Sequence, residues 1–202
     1  MKKQSNKTEE VVSEAISDAE CVRRLLQGEA DAFEVLVRRH QKAIFNLVYR
    51  MLGDYDEAAE VSQETFLSAY RSIGQFRGDA NFSTWLYRIA INHASTRRRG
   101  LAKWQQRTVP LDTTEPVNER EPDPADIVER KEVQELVQKA LNSLEASDAM
   151  IILLKDLQDV PYEEVARVLD VPVGTVKSRL HRARKALRSR LAPYFKARGT
   201  RK

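Results

Sequence analysis

Between Val173 and Lys185 the chain places Thr175, Lys177, Ser178, Arg179, His181, Arg182 and Lys185 in one short run. These side chains read nucleic acid well. Arg and Lys bond the acceptors of guanine, Ser and His are short readers of base edges, and cations hold backbone phosphates. At helical spacing Val173, Val176, Leu180, Ala183 and Leu187 fall on one narrow apolar stripe. The opposite face centres on Ser178 and carries Gly174, His181, Arg182, Lys185 and Ser189, with Lys177 and Arg179 flanking it. Gly174 is expected to let another backbone approach, and Pro172 suits a first helical turn. The preceding segment starts at Pro161 with Glu163 and Glu164, which favour a helix N-terminus. Its core stripe is Val165, Ala166 and Leu169. Two short helices around a tight turn, the second basic outside, form a helix-turn-helix. The alternative is a helical hairpin with a solvated basic face.

A second cluster lies upstream. Phe76, Phe82, Trp85 and Tyr87 mix with Arg77, Asn81, Arg88, Asn92 and Arg97-Arg98-Arg99. Trp85, Arg88, Asn92 and Thr96 share one helix face, while Leu86, Ile89, Ala90 and His93 share the buried one. Single-stranded nucleic acid needs such a surface, because bases stack on rings while cations hold phosphates. The loop ahead of that helix is placed to supply a pocket for an unstacked base. The same aromatics also suit a domain core, and composition leaves the two open.

The elements that must position these groups are all helical. Met1 to Ser17 reads as a poorly ordered tail. Ala32 to Leu52 is predicted as a helix buried on much of its circumference, with Phe33, Leu36, Val37, His40, Ile44, Leu47, Val48 and Met51 on one side. Gly53 suits its C-terminal cap and Asp54 the N-cap of a helix running to about Ile73. Ser83 or Thr84 is expected to cap the helix through Trp85 to about Arg99. From Gly100 to Asp126 periodicity disappears among Pro110, Pro116, Pro122, Pro124 and many acids, the composition of an extended linker. Helices resume near Ile127 with Val133, Leu136, Val137, Ala140, Leu141 and Leu144, and a short helix over Asp148 to Leu157 precedes the helix-turn-helix. No strand-like alternation persists. The expected fold is all-α: two small helical domains, 18–100 and 128–195, joined by a flexible acidic linker over 101–127, with tails at 1–17 and 196–202.

Charge distribution says more than its sum. The 202 residues hold 34 Lys and Arg against 30 Asp and Glu, for a net charge of +4. Basic residues crowd Arg97 to Arg99 and Lys177 to Lys202, while acids crowd Asp112 to Glu132, as in two nucleic-acid-facing patches around an acidic joint. No apolar run approaches the roughly 20 residues of a membrane span. The N-terminus lacks the apolar core of a signal peptide, so a cytoplasmic location is expected. Cys21 is the single cysteine, which excludes an internal disulfide and a Cys-rich zinc site. No metal or cofactor is expected.

Three stretches together carry a family resemblance: Glu57 to Tyr70, Phe82-Ser83-Thr84-Trp85-Leu86-Tyr87-Arg88-Ile89-Ala90-Ile91-Asn92, and Pro172 to Arg184. In order and spacing, from about Asp18 to Leu191, they resemble bacterial RNA polymerase sigma factors of the extracytoplasmic-function group. The resemblance implies a promoter-specificity subunit with no catalytic centre, active in transcription initiation and stress response. Glu57, Glu60, Gln63, Glu64 and Phe66 match the surface that binds core RNA polymerase through the clamp helices of its largest subunit. The flap of the second-largest subunit is the other implied contact. Phe76, Asn81, Trp85, Tyr87, Arg88, Asn92 and Arg97 match the element that melts and reads the minus-ten region as a single strand. Lys155, Thr175, Lys177, Ser178, Arg179, His181, Arg182 and Lys185 match contacts to the minus-thirty-five duplex. An aromatic is common in relatives where this chain has His181. The acidic linker resembles a segment that threads toward the polymerase active-site and RNA-exit channel, and an anti-sigma partner is implied. A helix-turn-helix regulator working outside polymerase is the rival; a recombinase lacks the nucleophile-and-base arrangement it needs.

Overall fold

The computed structural model describes residues 16–105, 133 and 135–199, and of 102–105 and 196–199 the backbone alone. Residues 106–132, which hold most of the expected linker and the expected helix start near Ile127, lie outside the described residues, as do residues 1–15 of the tail. All regular elements described are helical.

Helix α1 (Asp18–Leu26) starts at Ser17, whose hydroxyl accepts from the Glu20 N–H at 3.2 Å. Ser17 is therefore a helix cap rather than tail, because an N-terminal turn needs an acceptor for its orphan N–H groups. Cys21 is fully buried in α1, and that burial pushes its thiol up, so it behaves as a small apolar residue. Helix α2 (Asp31–Leu52) buries Leu36, Ile44, Leu47, Val48 and Met51. It ends where Gly53 takes φ +77° and donates to the Tyr49 carbonyl at 2.7 Å. Asp54 then caps helix α3 (Tyr55–Ser72) by accepting from the Glu57 N–H at 2.9 Å. A short 3₁₀ turn (Ile73–Gln75) closes it.

Helix α4 (Phe82–Gln105) begins at Phe82 rather than Trp85, with Asn81 accepting from the Trp85 N–H. Ser83 and Thr84 are thus in the first turn, and Thr84 is buried. The helix also runs past Gly100 into the expected linker, because Leu101, Ala102, Lys103 and Gln105 are good helix formers and no proline intervenes. Leu86, Ala90 and Ala94 are fully buried; their small or flexible side chains let α4 lie against α2 and α3.

Asp18 ties α1 to α2. It bonds Arg39, and its second oxygen lies 2.7 Å from His40 Nε2. Burial raises its carboxyl pKa, but the hydrogen bonds from His40 and Arg39 outweigh this and hold it below the usual value. A carboxylate depressed in the folded state stabilises above its unfolded pKa and stops doing so as pH falls through the folded one. Asp18→Asn is expected to cost about 1–2 kcal/mol at pH 7. Thermal melts from pH 5 to pH 3 should show the gap to wild type closing below about pH 4; a gap that widens over that range would refute this.

The C-terminal half comprises α5 (135–142), α6 (Ala146–Ile152), a π-helical turn (Leu153–Leu157), α7 (Tyr162–Leu169) and α8 (Val173–Gly199). The segment expected as one short helix is thus an α-helix continued by a wider turn that buries Leu153 and Leu154. Pro161 and Pro172 sit just ahead of their helices rather than inside them; the Pro172 carbonyl accepts from Thr175 and Val176. Asp170 turns the chain at φ +54°, a conformation Asp tolerates. The backbone of α8 stays helical to Gly199, beyond the expected boundary at 195.

The two halves pack on each other. Helix α4 lies against α7, α2 against the π turn, and one continuous core joins them. Gln138 Nε2 donates to the Arg50 carbonyl at 2.7 Å across the seam. Met51, Leu141, Met150 and Leu153 line the seam beside it.

Candidate nucleic-acid and protein interfaces

Helix α8 separates a packing face from a reading face. Val176, Leu180 and Ala183 are buried, with Val173 and Leu187 half-buried beside them. Lys177, Ser178, His181, Arg182 and Lys185 are exposed, and Thr175 and Arg179 half-exposed. Ser178 donates to the Thr175 carbonyl at 3.1 Å, which leaves its oxygen to accept. The space around Gly174 is open, so no backbone approaches it; being exposed, it has no described element to meet. Arg184 bonds Asp156 through two nitrogens, pinning α8 to the π turn. Lys155 is not a free cation: it donates to Asp159 at 2.8 Å, which raises its pKa. Lys155 and Lys177 both lie over the Tyr162 ring, at 5.4 and 5.6 Å. Tyr162 is an organiser of this face that its place in the sequence did not reveal.

On the N-terminal half, Asn81, Arg88 and Asn92 are exposed and Phe76 and Trp85 half-buried. Phe76, Phe82 and Trp85 form a ring cluster with centroids 5.3–6.0 Å apart, backed by His40 at 5.5 Å from Phe82. Phe82 is core, and it supports the half-open Trp85 ring. Tyr87 does not join that face. It is only 7 % exposed, its hydroxyl points to Gln158 Oε1 at 3.5 Å across the seam, and burial pushes its pKa up.

Helix α3 exposes Glu60 and Gln63 and half-exposes Glu57 and Glu64. Phe66 faces inward at 9 % exposure, edge-on to Phe33. Leu67 and Tyr70 take the outer position instead, 47 % and 46 % exposed, which makes this arc acidic and apolar together. Helical spacing puts Leu67 three, four and seven residues after Glu64, Gln63 and Glu60, on their face, opposite the buried Ala58, Ser62, Thr65 and Ala69. Arg97 reaches back from α4 to Glu57 at 2.6 Å, Glu60 at 2.8 Å and Glu64 at 2.9 Å. The hydrogen bond to Glu60 does most to raise the Arg97 pKa, against a smaller effect of burial, and Glu60 is lowered in return.

Residues 36–104 match the family model for Sigma-70 region 2, and residues 134–187 match that for Sigma-70 region 4. The RNA polymerase sigma-H factor of Pseudomonas aeruginosa is 36 % identical over 188 residues, covering 89 % of this chain and 96 % of the relative. The ECF RNA polymerase sigma-E factor of Escherichia coli K12 is 35 % identical over 195 residues, covering 92 % of this chain and all of the relative. This chain belongs to the ECF sigma factors. Two solved structures share the fold at 24 % identity. One is CnrH in complex with the cytosolic domain of CnrY, with a TM-score of 0.68, 88 % of this chain and 99 % of that one covered. The other is the sigma factor RpoE from Bartonella quintana with the anti-sigma factor NepR, with a TM-score of 0.62 and coverage of 79 % and 96 %.

Sigma factors are subunits of RNA polymerase that bind its core and promoter DNA. In this sigma factor the region 2 match spans the acidic arc and the aromatic cluster, and the region 4 match ends at Leu187 within α8. No helix among the described residues is long and apolar enough to cross a membrane, and no metal-holding group of side chains occurs among them.

Proposed function

We propose that this sigma factor directs cytoplasmic core polymerase to promoters by reading the upstream element as duplex with α8 and the downstream element as melted strand with α4. The observation that carries the proposal is the division of α8 into a buried Val176–Leu180–Ala183 stripe and an exposed His181–Arg182–Lys185 face. A helix seated this way offers its outer side chains to a major groove. Thr175, Lys177, Ser178 and Arg179 complete that reader, and Lys155 supports it through Tyr162. Phe76, Asn81, Trp85, Arg88 and Asn92 form the strand reader, with Tyr87 beneath.

Core polymerase docks on the α3 arc, where Glu57, Glu60, Gln63 and Glu64 suit basic side chains and Leu67 and Tyr70 suit apolar ones. The clamp helices of the largest subunit are the assigned partner. The flap of the second-largest subunit is assigned to the apolar groove of Leu187, Leu191, Ala192 and Phe195, whose Phe195 is 63 % exposed. An anti-sigma protein is assigned as regulator, by analogy with the complex of RpoE from Bartonella quintana with the anti-sigma factor NepR. Helix α4 packs against α7 in this structure, and the proposal has polymerase part the two halves so that both readers engage.

Run-off transcription on a genomic library with core polymerase tests the proposal. Start sites that appear only with this chain are expected; none appearing would reject it. Arg182→Ala is expected to weaken binding at the upstream element by about 1–3 kcal/mol and to relax its sequence preference. Promoter selection by the variant holoenzyme checks this, and unchanged choice would remove Arg182 from the reader.

A further inference from the structure

Arg97 looks like a phosphate contact by type and position, in a run of three arginines on the strand-reading helix. Its surroundings assign it elsewhere. The side chain is 23 % exposed and spans the α3–α4 seam to three carboxylates of one helix face. Arg98 and Arg99 beside it are exposed. We propose that Arg97 is a positioning residue of the polymerase-docking surface, holding Glu57, Glu60 and Glu64 in the arrangement a basic partner meets. The proposal rests on α3 being that surface.

Three like charges at helical spacing repel one another and sample many rotamers when unpaired. A guanidinium carries five donors in a rigid fork, and here both terminal nitrogens are committed. Arg97 takes Oε2 of Glu57, Oε2 of Glu60 and Oε1 of Glu64. The remaining oxygen of each carboxylate is not engaged by Arg97, and that of Glu64 lies 3.6 Å from His93 Nδ1. Two negative charges are left over, so the set stays attractive to cations. Carboxylates ordered in advance lose less rotamer freedom on docking, which strengthens association without a new contact. Turning Arg97 toward DNA would break all three pairs at once and release the repulsion they suppress.

The test uses full-length protein and purified core polymerase. Arg97→Gln is expected to weaken core binding roughly tenfold in equilibrium competition. Holoenzyme preassembled at saturating variant should bind a pre-melted promoter as wild type does. Arg97→Lys keeps charge and stem but not the three-way fork, and it is expected to restore core affinity only in part. If the glutamine variant is unstable, the lysine variant decides, with a several-fold loss expected at equal folded fraction. Unchanged or raised core affinity overturns the proposal. So does weakened binding to the pre-melted strand with core affinity intact, which would make Arg97 a DNA contact. Glu60→Lys with Glu64→Lys separates the two failures. Normal core binding by that variant rejects α3 as the docking surface, whereas its loss alongside an unaffected Arg97→Gln rejects only the positioning role.

Discussion

Charge reversal at Glu60 and Glu64 (Glu60→Lys with Glu64→Lys) is expected to abolish stable association with core polymerase. Each substitution replaces an attraction to a basic partner with a repulsion, and juxtaposed like charges at an interface cost several kcal/mol. Two such sites take a tight complex below detection in co-purification. The same change also places two cations against Arg97, which bonds both carboxylates at 2.8 and 2.9 Å. Some loss of thermal stability is therefore expected in the isolated protein. Glu60→Gln provides the control, because it removes one charge, keeps the side-chain length and leaves Arg97 paired with Glu57 and Glu64. It should weaken core binding measurably while melting close to wild type. Co-purification of the double reversal at wild-type yield would reject α3 as the docking site.

Removing the strand reader should give the opposite signature. Asn92→Ala and Trp85→Ala are each expected to reduce open-complex formation, by about tenfold or more, with core binding retained. Losing one base–aromatic stack costs about 1–3 kcal/mol. Trp85 also packs on Phe76 and Phe82 at 5.3 and 5.8 Å, so its replacement disturbs the cluster behind it. Asn92 is exposed and tests readout with less disturbance of packing. Permanganate footprinting on a closed and a pre-melted template separates strand capture from recruitment. Loss of polymerase binding in Asn92→Ala would mark that side of α4 as structural.

Helical spacing made the reading helix legible because one face had to be buried: Val176, Leu180 and Ala183 lie where their period places them. The Gly53–Asp54 stop and start was legible for a similar reason, since each residue satisfies a local backbone requirement. Tyr87 and Arg97 were not. A helical period tells which residues share a face but not which distant element covers it. The partners that bury Tyr87 and bind Arg97 are about 71 and 33–40 positions away in sequence. Phe66 and Leu67 are separated by the period itself. Phe66 falls four residues after Ser62 and three before Ala69, both buried, and packs on Phe33, while Leu67 shares the face of Glu60, Gln63 and Glu64. Helix α4 began earlier than Ser83 indicated because Asn81 supplies a backbone acceptor, a route no side-chain cap signal reveals.

The π turn at Leu153–Leu157 carries a consequence for how such a chain can change. A π turn is an α-helix with one residue of surplus, and one residue corresponds to about 100° of rotation about the helix axis. The surplus residue sets the direction in which the chain leaves α6 for the 158–161 link and α7. Deleting a single residue there would turn the start of the 158–161 link by about 100° about the axis of α6 and shift the buried Leu153–Leu154 pair out of register. Length at this point therefore acts as an angular setting, and a one-residue deletion here is expected to disturb the packing of α7 and α8 more than a substitution does.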